Sequence, residues 1–70
     1  MNKMSVQNHL KEARQAAGLT QAQVGSRINA SVNTISRYEK GVQCPSLEMA
    51  LRLCACYHRK MDDLFELTEP

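Results

Sequence analysis

Residues 21–40 read QAQVGSRINASVNTISRYEK, two helix-length segments broken near Asn29. Thr20, with Gln23 three residues later, forms a capping box that opens the first segment, with Val24 and Ile28 pointing inward. Asn29 stands at the break and is the best non-glycine residue for a left-handed turn. Ser31 caps the second segment, which runs to Lys40 and stops at Gly41. Two short helices that cross steeply need a small residue where they approach, and Gly25 occupies that place. Val24, Ile28, Ala30, Ile35 and Tyr38 supply the apolar contacts that hold the pair together and onto the rest of the chain.

This is the spacing of a helix-turn-helix over residues 21–40, a unit whose second helix enters the DNA major groove. Counted at 100° per residue from Val32, the residues Val32, Ser36, Lys40, Asn33 and Arg37 fall at about 0, 40, 80, 100 and 140°. Ile35 and Tyr38 fall at about 300 and 240°, on the other side. The outward face therefore offers two cations, an amide, a hydroxyl and a methyl-bearing residue, and no acid. Arg suits guanine, Asn suits adenine and Val suits the thymine methyl, so this face is equipped to read base edges. Glu39, at about 340°, turns back towards the core side, where it does not repel DNA. The start of the preceding helix offers free N–H groups and a positive dipole end, a seat for phosphate to which Gln21 adds an amide.

Helix signals continue outward. Asn8 caps a first helix running to about Ala17, with Leu10, Ala13 and Ala17 on one stripe and Gly18 as its stop. Ser46 caps a fourth, with Glu48 in its first turn and Leu47, Ala50, Leu51 and Cys54 as its apolar stripe. Met61–Phe65 forms a short fifth, with Asp62 and Asp63 near its start. Strand-like alternation is confined to Met4–Gln7 and Phe65–Thr68, which can pair as a terminal ribbon if the ends meet. The expected fold is all-α, one compact five-helix domain over residues 1–70 with that ribbon as an option.

Leu19-Thr20-Gln21, Ile35 through Gly41, Pro45-Ser46-Leu47-Glu48 and Met61-Asp62-Asp63-Leu64-Phe65 together resemble the lambda-repressor-like, Xre-type helix-turn-helix family. The resemblance covers about residues 8–66. It implies five helices, of which the second and third read DNA, and cytoplasmic transcription regulators that bind operators as twofold dimers. By that likeness Val32, Asn33, Ser36 and Arg37 face bases. Thr20, Gln21, Ser31, Lys40 and Gln43 meet phosphates, and Arg14 pairs with Glu39. Asn29 departs from the glycine common at the turn. Lys60 stands where the family has a capping residue, and an ammonium cannot accept the cap bond. His58 reads as a left-handed helix end, and His9 as a first-turn surface residue.

Composition agrees with a small DNA-binding domain. The chain has 70 residues, 43% hydrophobic and 23% charged, with no Trp and one Phe, so its core is aliphatic. Residues 1–45 carry six cations against two acids, and residues 46–70 three against five, a basic front and an acidic back. Three cysteines make no disulfide framework. Cys54 and Cys56 diverge by about 200° on a helix, so they cannot share a metal. Cys54 and His58 alone make no zinc site. No metal, cofactor or catalytic constellation is expected, and Asp62 and Asp63 diverge as helix neighbours do. No apolar run approaches the roughly 20 residues of a membrane span, and Met1-Asn2-Lys3-Met4 opens no signal peptide.

The leading expectation is a sequence-specific regulator of double-stranded DNA, a dimeric repressor on a pseudo-palindromic operator. Tyr57, Met61, Phe65 and Leu67, with Met49, Leu53 and Cys56, are candidates for the dimer surface; the alternative is that they fill the protomer's own core. The competing function is an antitoxin or co-regulator that chiefly binds a partner protein. No sensor domain fits the length, so a partner, a concentration change or a modification would have to supply any switch.

Overall fold

Capping and turn residues divide the chain into seven elements, seen in a computed structural model that describes residues 5–68. They run β1 (Ser5–Asn8), α1 (Leu10–Ala16), α2 (Gln21–Ile28), α3 (Val32–Lys40), α4 (Leu47–Tyr57), α5 (Met61–Leu64) and β2 (Phe65–Thr68). Each central helix begins on a hydroxyl cap. Thr20 Oγ1 accepts from Gln23 N–H at 3.1 Å while Gln23 Oε1 accepts from Thr20 N–H at 2.8 Å, a complete capping box. Ser31 and Ser46 accept in the same way from the N–H groups of Thr34 and Met49. Left-handed residues end these helices: Asn29 (φ 61°), Gly41 (φ 75°) and His58 (φ 55°).

The first helix is shorter than the sequence suggests. Asn8 Oδ1 does accept from Leu10 N–H, at 3.1 Å, but His9 occupies the cap position and the helix ends at Ala16. Leu10 and Ala13 are buried, whereas Ala17, the expected third member of the stripe, lies past the helix end and is exposed. Asn8 Nδ2 donates to Tyr38 O at 3.0 Å, which ties the start of α1 to α3.

The termini do meet. β1 and β2 pair antiparallel with Ser5 opposite Thr68, Val6 opposite Leu67, Gln7 opposite Glu66 and Asn8 opposite Phe65. Among the described residues the first strand runs one residue past the expected Gln7, to Asn8, and the second covers Phe65–Thr68 as expected; Met4 lies outside the described residues. Phe65 belongs to the strand, and α5 stops at Leu64. The missing acceptor at Lys60 is offset by Asp63, whose carboxylate accepts from Lys60 N–H at 3.2 Å.

Leu10, Ala13, Val24, Ile28, Ile35, Tyr38, Leu53, Tyr57 and Leu64 form one core cluster. In α4 the buried line is Ala50, Leu53 and Tyr57, while Leu47 is 72% and Leu51 53% exposed. Half of the expected stripe therefore holds: Ala50 is buried and Cys54 packs half-buried against the core, while Leu53 and Tyr57 take the inward places expected of Leu47 and Leu51. The helix is apolar almost all round, and the side that faces water is set by the Glu48–Arg52 ion pair, 2.6 Å across one helical turn. Arg52 also donates to Ile28 O at 3.2 Å, supplying a cation to the carbonyl end of α2. Leu53 and Tyr57, expected as candidates for a dimer surface, are 1% and 4% exposed and belong to the protomer's core.

Candidate nucleic-acid interface

The angle between α2 and α3 comes from two residues. Asn29 takes the left-handed conformation (φ 61°, ψ 50°), and Ala30 N–H then donates back to Gly25 O at 2.8 Å. A side chain at residue 25 would collide with the Ala30 carbonyl, so only glycine lets the turn pass this close. With Ile35 and Tyr38 buried beneath it, α3 keeps its other side outward. Val32 is 45% exposed; Asn33, Arg37 and Lys40 are exposed and Ser36 is half-buried.

Beside that face runs an open groove between α1, the start of α2 and α3. It is lined by Lys11, Thr20, Gln21, Ala22, Val32, Ser36 and Lys40, with Arg14, Leu19 and Glu39 at its base. Gln23 N–H is bound to Thr20, which leaves the N–H groups of Gln21 and Ala22 at the open end of α2. The first turn of α2 contains no acid. Lys11 and Lys40 also line this groove, so it combines two exposed ammonium groups with fixed backbone donors, a chemistry suited to phosphate. Sequence reasoning did not single out Lys11. Its signal was available, since Lys11 and Arg14 are three apart and share a side of α1.

The groove floor is a hydrogen-bond network. Glu39 accepts from Arg14 Nε at 2.6 Å (to Oε2) and from Arg14 Nη2 at 3.2 Å (to Oε1). Gln21 Nε2 donates to the same Oε1 at 3.1 Å, and Arg14 Nη1 donates to Leu19 O at 3.1 Å. The Arg14 and Glu39 side chains are only 13% and 5% exposed. The carboxylate raises the basicity of Arg14 further by hydrogen bonding to the charged form. Three segments are therefore fixed to one another: α1, the first residue of α2 and the last turn of α3.

The residues expected at phosphates divide. Thr20, Gln21 and Lys40 line the groove. Ser31 sits at the α3 cap, with its hydroxyl 2.9 Å from that of Thr34. Gln43 lies in the loop beyond α3, where its Oε1 accepts from Arg37 Nη1 at 3.3 Å. Of those expected at bases, Val32 and Ser36 border the groove while Asn33 and Arg37 stand outside it on the exposed side of α3. Among the described residues no cluster of His, Cys, Asp or Glu could hold a metal ion, and no helix is long and apolar enough to cross a membrane.

Comparison with known proteins agrees with this geometry. A family profile described as helix-turn-helix matches residues 10–64. The uncharacterized HTH-type transcriptional regulator YgzD of Bacillus subtilis is 36% identical over 64 residues, which is 91% of this chain and 97% of that protein. The HTH-type transcriptional regulator ImmR of the same organism is 38% identical over 61 residues, and the match spans only 48% of its length. A crystal structure of a Bacteroides fragilis protein superposes with a TM-score of 0.79 at 23% identity, covering 91% of this chain and all of that one, a likeness of fold. The chain belongs to the lambda-repressor-like, Xre-type helix-turn-helix family and is a DNA-binding transcriptional regulator.

Proposed function

We propose that residues 1–70 act as one cytoplasmic DNA-binding unit, a dimeric repressor that places α3 of each protomer in the major groove. The observation that carries the reading is the outward side of α3: Val32, Asn33 and Arg37 are exposed and acid-free beside a groove flanked by Lys11 and Lys40. Val32, Asn33, Ser36 and Arg37 read bases. Thr20, Gln21, Ser31, Lys40 and Gln43, joined by Lys11, meet phosphates and set the register. Two such protomers address half-sites about 34 Å apart on a pseudo-palindromic operator, and occupancy of that operator blocks transcription.

Met61 and Phe65 are half-buried and Leu67 is 64% exposed, with Met49 and Cys56 also half-buried. These residues, without Tyr57 and Leu53, make up the proposed dimer surface. Val6 pairs with Leu67 across the ribbon and, at 44% exposure, extends the apolar area.

Selection of bound duplexes from a random pool tests the reading. Enriched sequences with twofold symmetry and half-sites one helical turn apart are the expected result. Affinity must also fall steeply with salt, because phosphate contacts release counterions. A pool that yields no enriched sequence, or sedimentation showing one protomer per duplex, would overturn the dimeric-repressor reading.

A further inference from the structure

The loop after α3 is tied to one residue of that helix three times. Val42 N–H donates to Arg37 O at 3.1 Å, and Gln43 N–H reaches the same oxygen at 3.4 Å. The Gln43 side chain also turns back, with Oε1 accepting from Arg37 Nη1 at 3.3 Å. A guanidinium only donates, so the amide oxygen must face Arg37 and the Nε2 donor must face away. Both residues are exposed, and neither makes another side-chain hydrogen bond or ion pair among the described residues.

An exposed arginine loses much rotamer freedom when its fork is fixed against a base, and a tether present in the free protein removes part of that cost beforehand. Gln43 engages one of five guanidinium hydrogens, which leaves four, enough for two parallel bonds to guanine O6 and N7. We propose that Gln43 is a positioning residue that aims Arg37 at its base pair, so that a loop residue touching no base sets specificity at that position. The proposal rests on the reading of Arg37 given above and deepens it. Gln43 Nε2 remains available to a phosphate, so one side chain couples backbone register to the direction of the base-reading arginine.

The test uses the full chain and the duplex that it enriches from a random pool. Arg37→Ala first identifies the base pair at which preference is lost, and three further duplexes carry the alternatives at that pair. Gln43→Leu, which cannot hydrogen-bond, is expected to reduce discrimination at that pair about 3–10-fold while the other positions and the thermal midpoint stay unchanged. Gln43→Glu keeps the acceptor and loses the outward donor, so it should retain discrimination and weaken all four duplexes alike. If Gln43→Leu instead weakens all four by one common factor, Gln43 serves phosphate alone and the proposal falls. Losses of Gln43→Leu and Arg37→Ala that simply add at that pair would overturn it equally. Failure of the underlying reading has its own signature, an Arg37→Ala chain with every preference intact, and it takes the proposal with it.

Discussion

Arg14 and Glu39 face each other through two parallel hydrogen bonds, 2.6 and 3.2 Å long, across 25 residues of chain. Two charges withdrawn this far from water gain little net stability as a pair, yet either one alone is expensive to bury. Arg14→Ala leaves the Glu39 carboxylate with the Gln21 amide as its remaining side-chain partner. The expected loss is about 3 kcal/mol in urea unfolding. The double replacement Arg14→Met, Glu39→Leu should cost clearly less than either single change. A single-variant loss below about 0.5 kcal/mol would mean that the pair behaves as if solvated.

The turn between α2 and α3 predicts a contrast between neighbouring substitutions. Gly25→Ala drives a methyl group into the Ala30 carbonyl, and the backbone must give way. About 2 kcal/mol of stability should be lost, with a weakened DNA complex because the angle of α3 changes. Asn29→Ala places a less tolerant residue at φ 61° and should cost about 1 kcal/mol, while Asn29→Gly should be near neutral. Thermal midpoints of the three variants decide the order.

Tyr57 presents a different economy. Its ring is buried, and its hydroxyl has no hydrogen-bond partner among the described residues. Tyr57→Phe removes that unsatisfied group at the same shape and should raise stability by about 1 kcal/mol. Burial, with a smaller contribution from the Glu39 charge, pushes the phenol well above its ordinary range. The neutral form is therefore favoured in the folded chain. That stability is intact below the unfolded phenol value of about 10 and is lost as pH rises beyond it. Unfolding curves above pH 10 should decline less steeply for the Phe variant than for the parent.

His9 connects α1 to the ribbon. Nε2 lies 3.2 Å from Glu66 Oε1 and Nδ1 lies 3.5 Å from Glu12 Oε1. A neutral imidazole has a single N–H, so both carboxylates can be served only by the protonated ring. Hydrogen bonding to Glu66, then to Glu12, raises its pKa above the usual 6.5. A raised folded value stabilises the chain below the unfolded pKa, and the gain disappears as pH climbs through the folded one. Proton NMR of the imidazole should therefore show a midpoint above 6.5, and Glu66→Gln should bring it down. An unchanged midpoint in that variant would remove Glu66 as the cause.

Much of this architecture is legible in the sequence itself. Thr20, Ser31 and Ser46 each announce a helix start, because an N-cap is a local bond within four residues. Asn29, Gly41 and His58 mark helix ends for an equally local reason. In the α4 stripe the sequence places Ala50 and Cys54 correctly and Leu47 and Leu51 wrongly, because Leu47, Leu51 and Leu53 are chemically equivalent on a helix that is apolar on most sides. The Glu48–Arg52 pair was the usable signal, since the buried line lies opposite it. Asn8 reads from the sequence as the cap of α1 and proves to be a junction: its side chain accepts from Leu10 N–H and donates to Tyr38 O, while its backbone pairs with Phe65 and His9 takes the cap position. The Gln43–Arg37 bond left no trace in helical periodicity, because a loop residue has no fixed phase relative to the helix before it. Lys11 escaped notice through its setting: an exposed lysine acquires meaning only when α2 and α3 are seen to open a groove beside it.

Lys11 and Lys40 also provide the sharpest prediction about DNA. Both line the groove at the open end of α2, whereas Arg37 stands outside it on the exposed side of α3. A phosphate contact carries no base information, so its removal weakens every duplex by a similar factor and removes one released counterion from the salt dependence. Lys11→Ala and Lys40→Ala should each shallow the slope of log affinity against log salt by about 1, with the sequence preference retained. Arg37→Ala should instead cost about 1–3 kcal/mol on the enriched duplex and almost nothing on unrelated DNA, because the lost bonds are to one base pair. Fluorescence anisotropy at several salt concentrations separates the two behaviours. If Lys11→Ala leaves the slope unchanged while Lys40→Ala lowers it, the phosphate path runs along the α3 side of the groove and bypasses α1.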